Sequence, residues 1–273
     1  MLTQVEKGLA FRELHQRPRA FLIPNPWDVG TARLLAHLGF EALATTSAGY
    51  AFSIGQPDNT VGRDAMMRHV AEIASATELP VSADLENGFG DAPEIVAETI
   101  RLAAAAGLVG GSIEDATGKP GAPIYELEHA VERVHAAAEA ARALPFAFTL
   151  TARAENYLVG RPDLKDTIKR LQAYQTAGAD VLYAPGLSSQ EDIAAVVSSV
   201  DRPVNVLTGL PGVRLSLAEL AAIGVRRVSV GSALSRAALG EFLRAAREMQ
   251  EHGTFAFVDQ AVSFREISAM FKA

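Results

Sequence analysis

The chain has 273 residues, a formal net charge of −7 and no cysteine. Hydrophobic residues make up 49% and charged residues 21%, the balance of a globular protein with a substantial core. The acid excess, with no run of Lys and Arg, argues against a nucleic-acid surface, and the missing cysteine removes disulfides, thiolate metal sites and a cysteine nucleophile together.

The first 21 residues are charged throughout and hold no apolar signal core, and no apolar stretch approaches the span of a bilayer. A cytoplasmic location without a membrane partner is the expectation. Residues 3–16 put Val5, Leu9 and Leu14 on one face of a predicted helix ahead of the main body. A short strand at 20–23 stops at Pro24-Asn25-Pro26. Asp28 then caps a helix over 29–38 that Gly39 ends. A strand at 42–46 leads into 47–60, which reads as a Gly- and Ser-rich loop. Next come a helix over 63–77, a strand at 81–83, a helix over 94–106 with Pro93 at its start, and a strand at 109–113. Helices over 126–143, 164–177, 190–198 and 217–223 precede strands at 146–152, 181–184, 204–207 and 225–230. A last long helix reaches about residue 252.

Eight strand–helix alternations with mostly apolar strands imply a parallel (β/α)8 TIM barrel. A doubly wound open sheet is the alternative, weakened because no GxGxxG follows the first strand. One domain is expected over 1–273, with the barrel at about 20–252. Residues 255–273 are apolar at Phe257, Val258, Val262, Phe264, Ile267, Met270 and Phe271, which points to an oligomer contact.

Chemistry in such a barrel sits at the carboxyl ends of the strands. Those positions carry Asn25, Ser47, the pair Asp84 and Glu86, the pair Glu114 and Asp115, Arg153 with Glu155, then Asn205, Thr208 and Ser232. Carboxylates at consecutive strand ends need positive charge, from a divalent cation or, alternatively, from Arg153 and Lys119. Oxygen ligands without thiolates favour Mg²⁺, with Mn²⁺ possible, and all six histidines fall in predicted helices, which argues against a zinc hydrolase. Such a cation with Arg153 suits a 2-oxo acid, the metal acting as a Lewis acid on a developing enolate. Ser47, Ala48 and Gly49 could offer amides to its carboxylate, or form a plain tight loop.

TTSAGYAFSIGQPD, VSADLENGFG, GSIED, TARAEN and PVNVLTG, in that order, resemble the isocitrate lyase / phosphoenolpyruvate mutase superfamily over residues 20–240. The resemblance implies a (β/α)8 barrel, usually tetrameric (a dimer of dimers), with the C-terminal helix swapped between subunits. It implies Asp84, Glu86 and Glu114 as the Mg²⁺ carboxylates. Asp58 is implied beside the ligand or metal, and Arg153 against the substrate carboxylate or enolate. Ser47 and its neighbours Ala48, Gly49 and Tyr50 would hold the substrate, with Glu155 and Asn205 lining the same rim. Lyases of this family carry a cysteine within a Lys-Arg/Lys-Cys-Gly-His motif after the fourth strand. Here that loop reads ATGKPGAPIY, keeping only Lys119 as a candidate catalytic residue, and the basic residues of the mutase branch are absent too. The expected function is therefore an Mg²⁺-dependent carbon–carbon lyase, decarboxylase-like or isocitrate-lyase-like, on a small 2-oxo or 2-hydroxy di- or tricarboxylic acid. A 2-oxo-acid binding protein and a phosphonomutase-like enzyme are the alternatives.

Overall fold

The computed structural model describes residues 2–209 and 214–272. Eight parallel strands form one sheet: β1 Phe21–Ile23, β2 Leu43–Ala44, β3 Val81–Asp84, β4 Gly110–Glu114, β5 Thr149–Arg153, β6 Val181–Tyr183, β7 Val204–Leu207 and β8 Arg227–Ser229. Their order is β1-β8-β7-β6-β5-β4-β3-β2, and the hydrogen bond from Ala44 N to Pro24 O at 3.1 Å brings the two ends together. The (β/α)8 barrel expected from the alternation is what the chain forms. Around it run α2 Val29–His37, α4 Arg63–Ser75, α5 Pro93–Ala105, α6 Leu127–Arg142, α7 Leu164–Ala177, α8 Gln190–Ser198 and α9 Leu217–Ala222. Alternation divides each strand: Val206 and Val228 join the shell under the helices, while Asn205, Arg227 and Ser229 line a cavity inside the barrel.

Helix α1, Gln4–Gln16, opens with a Thr3–Glu6 capping box and plugs the amino-terminal end of the barrel. Phe11 and Leu14 pack against Phe21, Ile23, Ala42 and Val109. The approach depends on two glycines. A Cβ on Gly8 would lie 2.3 Å from the Ala147 carbonyl oxygen, and one on Gly110 would lie 2.7 Å from the Phe11 ring. Below the carboxyl end, Arg133 of α6 is buried and donates to the carbonyls of Asn87, Gly90 and Asp91. That clamp fixes the turn after β3, where Glu86 (φ 49°) and Phe89 (φ 62°) are held in the left-handed region.

One expectation changes. Residues 47–60 are not all loop: Ser47–Ser53 form helix α3, capped by the Thr46 hydroxyl accepting from Gly49 N. Its small residues hid a seven-residue helix that the cap alone would have betrayed. The eighth barrel helix, α10 Ala233–His252, buries only Ser235 and leaves Leu234, Leu239, Phe242, Leu243 and Met249 exposed. Leu22, in the middle of β1, is 38% exposed where the other strands are covered. Beyond α10, a 3₁₀ turn over Ala256–Gln260 and α11 Phe264–Met270 keep Phe255, Val258, Val262 and Phe264 in solvent. No helix of the described residues is long and apolar enough to cross a membrane.

Candidate active site

β5 ends on Arg153, and three neighbouring strand ends supply its partners. Its Nη1 lies 2.8 Å from Asp84 Oδ1, its Nη2 3.0 Å from Glu114 Oε2, and its Nε 2.8 Å from Glu155 Oε1. Asp84 is held from its other side by the Ser47 hydroxyl, 2.7 Å from Oδ2, and by Ser47 N at 3.3 Å. Its own amide donates to the Thr45 hydroxyl. Asp58 reaches the same serine, 3.5 Å from its Oγ. These groups line a cavity of about 450 Å³ at the carboxyl ends of the strands, with Ala48, Tyr183 and Asn205 in the same wall. The placement follows from period two: residues 153 and 155 share a side, and the register of β4 on β5 sets Glu114 against Arg153.

One guanidinium cannot neutralise this many acids. Burial is the main reason Glu114 and Glu155 are pushed upward from their ordinary range, and their like-charged neighbours add to it against the pull of Arg153. Asp58 is raised by burial and by Asp84. Glu86 is pushed up to about 8 by burial, then by Asp84 and Asp58, and its Oε1 is buried without a hydrogen-bond partner. An acid-rich pocket with an orphaned carboxylate oxygen and only hard oxygen donors fits a divalent cation of the Mg²⁺ class. Among the described residues, however, no three acidic or imidazole side chains already surround one point, because Arg153 stands between Asp84, Glu114 and Glu155.

The remaining candidates divide by where they fall. Glu86 lies in an adjoining pocket with Arg63, Arg68 and Phe89, which shares Glu114 and Asn59 with the main cavity. Gly49 spends its amide on the Thr46 cap and packs within the fold, where a Cβ would stand 2.5 Å from Thr46 Cγ2. Tyr50 stacks on the His69 ring at 3.7 Å, away from the cavity. Lys119 is exposed and pairs with Asp91 outside the cavity, so it does not neutralise the rim acids. Asp115 turns the other way from Glu114, as adjacent residues must. It accepts from Glu155 N, Arg170 Nη1 and the Tyr174 hydroxyl in a buried cluster behind the rim. Asn25 is structural, accepting from Val230 N and Gly231 N while donating to Thr45 O. Two cavity residues carried weaker signals in the sequence. Tyr183 ends β6 with its ring 5.2 Å from the Arg153 guanidinium, and Arg227 is a charge set inside an apolar strand.

The family profile described as phosphoenolpyruvate phosphomutase matches residues 11–250. A crystal structure of a Burkholderia cenocepacia J2315 protein, provisionally described as a lyase/mutase, is 67% identical, with TM-score 0.97 over 99% of this chain and 97% of that one. The oxaloacetate decarboxylase of Pseudomonas aeruginosa is 30% identical over 84% of this chain and 80% of its own length. A phosphonopyruvate hydrolase solved with oxalate and Mg²⁺ is 26% identical, with TM-score 0.86 over 98% of this chain and 95% of that one.

Proposed function

Because the chain belongs to the phosphoenolpyruvate mutase / isocitrate lyase superfamily, we propose that it is a carbon–carbon lyase of a small 2-oxo dicarboxylate, with oxaloacetate decarboxylation as its simplest form. The observation that carries this reading is the Arg153 cluster with Asp84, Glu114 and Glu155 at the barrel mouth. A cysteine-free chain favours a cleavage that needs no thiol acid.

Arg153 keeps N–H groups on Nη1 and Nη2 beyond those engaged by the acids, and these would take the substrate carboxylate in a charge-assisted pair. Ser47, fixed by Asp84, and the Ala48 backbone would orient the same end of the substrate. Mg²⁺ held by Asp84, Glu86 and Glu114 would supply the electrophile that polarises the keto oxygen. In decarboxylation the bond between C3 and the distal carboxylate breaks, CO₂ leaves, and the electron pair becomes an enolate that Arg153 stabilises. A proton then returns to C3. Tyr183 is suited to give it, since burial pushes its phenol above the usual range and keeps it protonated. The loop after β4, with Thr117 accepting from Lys119 N, sits over the adjoining pocket and would set which substituents fit.

The test is turnover. Incubation with Mg²⁺ and oxaloacetate, isocitrate, 2-methylisocitrate or phosphonopyruvate is expected to consume a 2-oxo dicarboxylate or its hydroxy precursor. Asp84→Ala is expected to abolish both that turnover and Mg²⁺-dependent thermal stabilisation. A variant as active as the parent would remove Asp84 from the metal.

The same reading makes the apolar faces of α10 and the tail an intersubunit surface, with the C-terminal helical extension swapped between copies in a dimer of dimers. Light scattering should then give a mass that is a multiple of the 28.9 kDa chain, and Phe242→Glu should lower it. A parent protein that stays monomeric at micromolar concentration would end this part of the proposal.

A further inference from the structure

Arg227 opens β8 and lines the cavity inside the barrel, 5% exposed. Its Nε donates to Asn205 Oδ1 at 2.9 Å. Its Nη1 lies 3.4 Å from His15 Nε2. The histidine is an acceptor there, because its Nδ1 lies 2.8 Å from the Phe11 carbonyl oxygen, which can only accept, so Nδ1 carries the proton. Burial and the arginine push His15 down to about 3, so it stays neutral and brings no charge of either sign.

No carboxylate answers Arg227. Among the described residues its side chain makes no salt bridge, and the one group of opposite tendency acting on it is the Tyr183 phenol, which burial keeps protonated. Burial draws the guanidinium down to about 10, which still leaves it cationic at neutral pH. A buried arginine with two neutral partners is an uncompensated charge, and its guanidinium offers more N–H donors than those partners use. The contrast with Arg153 is direct: one arginine holds three acids, the other none, in the wall of the same cavity.

Register explains how the two come to share that wall. Arg153 pairs with Tyr183, Tyr183 with Asn205, and Asn205 with Arg227, so one row of side chains runs from β5 to β8. Ser229, two residues on from Arg227 and hydrogen-bonded to Asn205 Nδ2, extends the polar patch.

We propose that this patch is a second anion subsite of the same cavity, separate from the Arg153 cluster, in which Arg227 holds one singly charged anion of halide or carboxylate size. Asn205, Ser229 and Tyr183 complete its lining. Two sources share this chemistry: a resident free anion, or a carboxylate of the ligand that occupies the cavity. The site stands whether or not the lyase reading does, since it is read by anion binding and not by turnover.

The experiment uses crystals of the full chain soaked in sodium bromide, with anomalous scattering as the readout. A bromide peak in contact with the Arg227 guanidinium is expected in the parent protein. It should disappear in Arg227→Gln, which retains a polar side chain beside Asn205. In solution, bromide or formate should stabilise the parent saturably over sulfate at matched ionic strength, and Arg227→Gln should lose the saturable part. A second soak with malonate separates the sources. Displacement of bromide assigns the site to a ligand carboxylate, whereas coexistence assigns it to a resident anion. Parent crystals with only water at Arg227 under saturating bromide would overturn the proposal even if the variant failed to fold, and so would a peak that persists in Arg227→Gln.

Discussion

Arg153→Ala should lose turnover by about 10²-fold or more, the scale of removing a donor aimed at developing negative charge. It should also lower folding stability by about 3–5 kcal/mol, the usual cost of breaking a buried ion pair from one side. Both effects have one origin. Asp84, Glu114 and Glu155 are delivered to the same point by three strands, and the guanidinium is the only cation that touches them among the described residues. The stability loss should depend on pH in a fixed sense. Glu114 and Glu155 already sit above their ordinary range because of burial, and removing Arg153 raises them further. A carboxyl whose folded pKa is raised stabilises the fold below its unfolded pKa and loses that contribution as pH climbs through the folded value. The variant should therefore fall further behind the parent at pH 8 than at pH 5 in urea unfolding. Arg153→Lys should rescue part of the stability and little of the turnover, since a single ammonium cannot span three carboxylates in the planar fork that arginine presents. An equal deficit at both pH values would mean that Arg153 is held for packing and not for charge.

The barrel was legible because its signal is repeated: eight apolar runs alternate with helices, most of them carrying a side-chain cap or a glycine stop, and they agree with one another even where single boundaries drift by a few residues. The acids at the strand ends were legible for the same reason. What the sequence hid was the direction in which a side chain points once the strand ends. Glu114 and Asp115 are neighbours in the chain, yet period two sends one to Arg153 and the other to Arg170 and Tyr174. Reading them as a pair ignored that rule. Lys119 looked like a partner for the rim because it is a lone cation in the right loop, but the loop carries it to Asp91. Tyr50 looked like a ligand contact because it follows Ser47, but α3 turns its ring toward His69. Arg227 gave a signal that was there to be used: a charge inside the apolar run VRRVSV at an inward position. Its partners, from α1 and β7, are far off in sequence, so no local pattern could reveal that none of them is an acid.

Glu86→Gln should flatten the pH dependence of stability in chelator-treated protein, and the sign is fixed by where Glu86 sits. Burial, reinforced by Asp84 and Asp58, moves its carboxyl from 4.5 to about 8. Below pH 4.5 the group is protonated in both the folded and the unfolded chain. Between 4.5 and about 8 the unfolded chain gives up a proton that the folded one keeps, so stability declines steadily across that window and the loss is complete above it. At about 1.4 kcal/mol per pKa unit the decline reaches a few kcal/mol, larger than most single surface effects. Glutamine keeps the shape and removes the titration. Asp58 and Glu114 are raised as well and leave a slope of the same sign in both proteins, so the informative quantity is the difference between the two curves. Saturating Mg²⁺ adds the discriminating arm. If the orphaned Oε1 is there to serve a dication, the ion should restore the parent protein most at pH 8, where the carboxylate is ionised, and should restore Glu86→Gln less. Equal restoration of both proteins would place the ion on Asp84 and Glu114 without Glu86, and would leave burial of that acid as a cost the fold carries for its left-handed turn.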